Sequence, residues 1–265
     1  MRPIVKWTLW QRRWSAMWWS VGLFAFIFIN MVFYPTFKDS AAQLAKSFAS
    51  LPKAALQLFG GSSDFFSPIG FLNSQIFFLM LPLLLTMLAV SLGSSLIARE
   101  EQDMTIELLL ARPVSRGRLL AAKITGGTII LAAVSGVALI TVVVTARVFG
   151  LDGIPSSAIA LAGFNSFLLA YCTGAIAFLL AATGRARGAA IGIGAMIGVG
   201  GYLITSLSGT VGWLKTPAKA LPYNYYQSEA ILRGTYHWLS ALFFVAVVAV
   251  CGTLSYLVFR RRDIA

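Results

Sequence analysis

From Phe65 to Ala98 the chain carries no charged side chain. A helix needs about 20 apolar residues to cross a hydrocarbon core of ~30 Å, and this one stretch is more than long enough. Stretches of this kind predict six membrane spans, over 17–35, 71–97, 119–146, 158–182, 188–209 and 237–259, none with a charge in its central part. Each is continuously apolar and lacks the period-two alternation of a barrel strand. The expected fold class is therefore all-α integral membrane, with a single transmembrane domain over residues 1–265. Pro82, inside the second span, is positioned to kink it. Composition agrees: 11% of residues are charged and mean hydropathy is +0.81, where a soluble domain has roughly 25% charged.

Lysine and arginine orient the spans, because they concentrate in cytoplasmic loops. With the N-terminus inside, fourteen of the 21 fall on the cytoplasmic side. These are Arg2, Lys6, Arg12 and Arg13 before the first span, and Arg99, Arg112, Arg116, Arg118 and Lys123 between the second and third. Arg185 and Arg187 join the fourth and fifth spans, and Arg260, Arg261 and Arg262 form the tail. Both termini are thus expected in the cytoplasm, in a bacterial-type plasma membrane. The net charge of +12 is largely topological, so the lipid bilayer is an expected partner and nucleic acid is not. Cys172 and Cys251 sit in apolar runs and read as packing residues rather than a disulfide or metal ligands. No small-residue cleavage site precedes Phe33-Tyr34-Pro35, so the first apolar run reads as a span and not a cleaved signal.

The stretch "VKWTLWQRRWSAMWW" places Trp7, Trp10, Trp14 and Met17 at helical spacing, with Lys6, Arg12 and Arg13 toward another face. That pattern predicts an interfacial helix over 3–16, lying in the headgroup layer with its cations near anionic lipid. A first span that simply begins early, with an aromatic belt, is the alternative. On the far side, Leu44, Phe48, Leu51, Ala55 and Leu58 mark one face of a helix interrupted at Pro52.

Between the second and third spans the chain changes character. "AREEQDMTIELLLARPVSRGRLLAAK", Ala98 to Lys123, holds nine charged side chains, while the whole protein has 21 basic and 9 acidic ones. Asp103 suits an N-cap ahead of a helix over Met104–Ala111. Pro113 cannot continue that helix and pushes Arg112 toward an extended conformation, and Ser115 is placed to cap the third span. The result is a rod about 12 Å long at 1.5 Å per residue, within a loop spanning 99–116. Met104, Ile106, Leu108, Leu109 and Leu110 are apolar around much of its circumference. Lipid cannot bury them all from a loop and water should not, which predicts a protein partner.

These residues resemble the cytoplasmic signature of ABC exporter permeases of the type-2 membrane family. In order and spacing the match takes in Glu100-Glu101, Thr105, Glu107, Leu108-Leu109-Leu110, Pro113, Ser115-Arg116 and Lys123. Met104 stands where that family commonly has glycine. "LPYNYYQSEAILRG", Leu221 to Gly234, is similar to the family's segment before the last span. The resemblance implies that Met104–Ala111 is a coupling helix docking into a separate ATP-binding subunit. Leu108, Leu109 and Leu110 would then be packing contacts, and Glu100, Glu101, Glu107, Arg112 and Arg116 orienting charges. ATP and magnesium are expected on that partner and no cofactor in this chain, where the phosphate-cradling G-x-x-x-x-G-K-[ST] does not occur. A second permease copy or a paralogue would complete a two-sided pathway, for an amphipathic or hydrophobic cargo such as a drug, peptide or lipid.

"RGAAIGIGAMIGVGGY" in the fifth span contains two small-residue motifs, Gly188 with Gly192 and Gly194 with Gly198. Both predict close helix packing, within the bundle or across a dimer. Asn30, Asn73, Gln75 and Asn165 are the polar exceptions within spans, expected to make interhelical or terminal hydrogen bonds. Asn73 and Gln75, near the outer end of the second span, are candidates to touch cargo. Span centres contain no carboxylate or histidine, which disfavours ion-coupled transport, and His237 sits at an interface position beside Tyr236 and Trp238. An intramembrane enzyme would need an activated nucleophile at bilayer depth. A membrane assembly or regulatory protein would share the docking helix but show no substrate-dependent ATP hydrolysis.

Overall fold

A computed structural model describes residues 2–40, 52–58, 67–102, 115–151 and 153–261. Every regular element among them is helical. Six helical segments are long and apolar enough to cross a membrane: Arg2–Asp39, Pro68–Ala98, Arg116–Val148, Ser156–Ala182, Arg187–Leu207 and Leu239–Arg261. The last five lie within a few residues of the predicted spans. Six crossings put both termini on one side, called the terminal side below. Contacts there agree, since Arg12 of the first span donates to Ser95 near the end of the second at 2.7 Å. At the same level Gly117, starting the third span, lies against Tyr256 near the end of the sixth.

The second and fourth spans form the centre. At their crossing the backbones touch: a Cβ added at Gly93 would lie 2.3 Å from the carbonyl oxygen of Gly174, and one at Gly174 would lie 2.9 Å from that of Ala89. Only hydrogen side chains permit that approach, which maximises dispersion between helices that lipid cannot drive together. The third span packs beside this pair, burying Leu131, Val134, Ala138 and Val142. The sixth leans on the fourth through Phe244 and Cys172. Gly184, at φ +83°, closes the fourth span in the left-handed conformation that glycine adopts without strain. The fifth span starts three residues later, at Arg187.

The N-terminal segment differs from expectation. Residues 3–16 form no separate in-plane helix, because one helix runs unbroken from Arg2 to Val32. Two features explain it. No proline or glycine falls between Ile4 and Val21 to break the rod, and Thr8, which is buried, packs on Gly126 of the third span. Trp7, Trp10, Trp14 and Trp18 remain more than half exposed along the outer face. The guanidinium of Arg13 stacks 4.6 Å from the Trp10 ring centroid. Of the far-side helix expected around Pro52, Lys53–Leu58 is helical; Leu44, Phe48 and Leu51 lie outside the described residues.

Candidate functional site

The charged loop is flanked by two long helices. Met80–Gln102 continues the second span, so Glu100 and Glu101 sit in its last turns. The third begins at Arg116, with Ser115 at the N-cap in an extended conformation, although its side chain accepts no capping hydrogen bond. Asp103, Thr105, Glu107, Leu108, Leu109, Leu110, Arg112 and Pro113 lie outside the described residues. Lys123, counted above with the cytoplasmic charges and within the predicted third span, lies two turns inside that span and is buried. At 1.5 Å per residue, Met80–Gln102 is a rod of about 34 Å. It connects the charged loop to the opposite end of the bundle, past the Gly93–Gly174 crossing.

At that opposite end the second span is irregular. Asn73–Phe77 is a π turn, in which the Phe78 N–H reaches back to the Asn73 carbonyl at 2.6 Å. Pro82 has no N–H to return to the carbonyl of Phe78, four residues earlier. The missing donor comes from outside the helix: the hydroxyl of Tyr223 donates to the Phe78 carbonyl. The hydroxyl of Tyr226 donates to the Phe77 carbonyl, with Ser166 of the fourth span 2.8 Å from the same hydroxyl. Ser228 then donates to the Asn73 side-chain oxygen at 2.7 Å. One segment, Pro222–Ser228, therefore braces the break in the second span at three points. Burial holds the Tyr223 and Tyr226 hydroxyls above their ordinary range, which keeps both as protonated donors.

Rings fill the space around the brace. Tyr202 of the fifth span lies 5.5 Å from Tyr223 and 5.8 Å from Phe78, both edge-on, as aromatic quadrupoles prefer. Asn73 is thus fully buried inside the brace. Gln75 is half-buried two residues further along the π turn. The sequence shows the tyrosines but not this role, which depends on where the π turn frees carbonyls.

The fifth-span glycines divide into two faces. A Cβ at Gly194 would meet Val90 at 2.8 Å and one at Gly198 would meet Thr86 at 2.8 Å, so this pair packs on the second span. Gly188 and Gly192 have open space around them instead. The Gly93–Gly174 contact, where a built Cβ meets a main-chain oxygen at 2.3 Å, is marked by no glycine repeat in either span.

The assembled features are a bundle of six helices long and apolar enough to cross a membrane, a long second span that leads into the charged segment, and a braced break at its other end. No curated protein matches this chain. The family profile described as ABC-2 family transporter protein matches residues 3–264. The chain belongs to the ABC-2 family, whose members are multi-pass membrane components of ABC transporters, and is a permease of that type.

Proposed function

We propose that this permease is one half of an ATP-driven exporter, docking a separate ATP-binding subunit through residues 99–116 with both termini in the cytoplasm. The reading rests above all on one observation. The chain's most charged segment, with three consecutive leucines at its centre, joins two long rigid spans. Leu108, Leu109 and Leu110 fill a groove on the partner, while Glu100, Glu101, Thr105, Glu107, Arg112 and Arg116 fix orientation and Pro113 with Ser115 ends the turn. ATP and magnesium bind on the partner. Closure of two such subunits pushes on two coupling helices, and each second span carries the displacement as a rigid body. The Gly93–Gly174 crossing is the pivot, and the tyrosine brace is what must yield for the far end to open.

A second copy or a paralogue supplies the other wall of the pathway, and the unfilled face at Gly188 and Gly192 suits close approach of another helix. Cargo of amphipathic or hydrophobic character, such as a drug, peptide or lipid, fits spans whose centres carry no charge. Asn73 and Gln75 reach it only once the brace has opened. The test is affinity capture of the complex from membranes. Glu107→Arg reverses a charge at the seam and is expected to lower recovery of the ATP-binding subunit about tenfold, as the loss of ~1.4 kcal/mol does. Recovery and transport equal to the unsubstituted permease would refute the docking surface.

A further inference from the structure

A crevice runs between the third and sixth spans on the terminal side of the bundle. Its floor is the crossing of the second and fourth spans at Gly93 and Gly174, and its walls are Gly127, Leu131, Val248 and Gly252, enclosing about 110 Å³. Along the second span it extends from Ala89 to Leu96, about 10 Å at 1.5 Å per residue. Its long axis therefore follows the helices. The third and sixth spans meet again beneath it, where Tyr256 covers Gly117. Nothing lies within 4 Å of a Cβ built at Gly252, and Ile129 and Val245 on neighbouring turns are exposed. The crevice thus opens sideways, toward the bilayer.

Its polar atoms are already engaged. The Thr128 hydroxyl donates to the Ile124 carbonyl at 2.9 Å. Its single proton being used, the Tyr171 hydroxyl is the donor in the 3.0 Å contact with Thr128. No free donor remains on the lining to hold water, and apolar cavities of this kind stay dry until an apolar molecule enters. At the terminal end of the same two spans stand the exposed cations Arg118, Arg260 and Arg261, where a headgroup phosphate would lie.

We infer that this crevice is a lipid site, holding one acyl chain of a phospholipid from the leaflet on the terminal side, with its phosphate against Arg118, Arg260 and Arg261. A slot parallel to the helices, without free hydrogen-bonding groups and with cations at one end, matches a lipid in form and charge. From the proposed function the inference takes only the crossing of the membrane. Its test needs neither ATP nor a partner subunit, so its failure leaves the permease reading standing.

The full chain in nanodiscs is irradiated with a phospholipid bearing a diazirine within its acyl chain, and adducts are mapped by mass spectrometry. They are expected to concentrate on Gly127–Leu131 and Val248–Gly252. Gly252→Phe adds a ring on the crevice wall, where a built Cβ meets no atom within 4 Å, and lowers them about tenfold, the equivalent of ~1.4 kcal/mol of lost occupancy. Gly136→Phe, also into open space but away from the crevice, leaves them unchanged. Adducts spread evenly over all spans in the unsubstituted chain would overturn the site, even if a variant fails to fold. Equal labelling by a photoreactive hydrocarbon without a headgroup would overturn the phospholipid assignment in favour of apolar cargo.

Discussion

Gly93→Val is expected to break the bundle at its centre. The added Cβ would lie 2.3 Å from the Gly174 carbonyl oxygen and 3.2 Å from the Phe178 nitrogen. Both are main-chain atoms, so no rotamer change relieves the clash and the second and fourth spans must separate. Overpacking of a core typically costs about 1–3 kcal/mol, and a backbone-on-backbone contact belongs at the top of that range. Thermal unfolding in detergent should fall by roughly 10 °C for a chain of this size. Gly174→Val should do the same from the opposite helix, where Ala89 is the obstacle. Gly188→Val, with open space around it, should leave the melting of the isolated subunit unchanged. Equal melting of Gly93→Val and Gly188→Val would mean that the two spans do not cross there.

Tyr223→Phe is expected to loosen the far end of the second span while leaving its terminal half intact. The ring stays and the hydroxyl goes. The Phe78 carbonyl then has no donor, because Pro82 cannot supply one. A buried group left unpaired costs about 1–3 kcal/mol. Hydrogen exchange reports where the loss falls. Amides of Asn73–Leu79 and of Ser228–Leu232 should exchange faster, and those of Leu85–Ile97 should not change. Tyr225→Phe is the control, since that hydroxyl makes only an exposed contact with the Lys219 carbonyl. Uniform acceleration along the whole span, or none at Asn73–Leu79, would remove the brace from the account.

These two sites differ in how far the sequence reveals them. Span positions are legible because burial in lipid imposes one rule on about 20 residues together. Continuity of the first helix was legible too, in the absence of glycine or proline between Ile4 and Val21, but its aromatic stripe drew the reading toward an in-plane helix. Gly93 and Gly174 belong to no closely spaced glycine pair, with Gly163 eleven residues from Gly174, and only their meeting in space gives them meaning. The fifth-span repeat is conspicuous, yet Gly188 and Gly192 have open space around them while Gly194 and Gly198 pack. Which face packs is decided by Val90 and Thr86 on another helix. Tyr223 and Tyr226 lie in a recognisable segment, but their acceptors exist only because Asn73–Phe77 folds as a π turn. Lys123 falls inside the predicted third span, 119–146, and inside the observed helix, which begins three residues before that range, at Arg116.

The geometry gives the proposed coupling a mechanical form. A push at residue 102 arrives at Met80 through an unbroken helix, pivots where there is no side chain to compress, and ends at three hydrogen bonds on the far side. Energy delivered to the loop in this proposal would meet no break in the helix between Gln102 and Met80. In the proposed coupling the chain contributes a stiff lever and a latch, and a docked subunit would supply the force.

The docking itself is open to direct measurement. A photo-crosslinking amino acid replaces Leu109 in the whole permease, and irradiation is carried out in native membranes with and without ATP. The account predicts an adduct with an ATP-binding protein, identified by mass spectrometry, whose yield changes when nucleotide is added. Adducts confined to the permease's own helices, identical in both conditions, would contradict it.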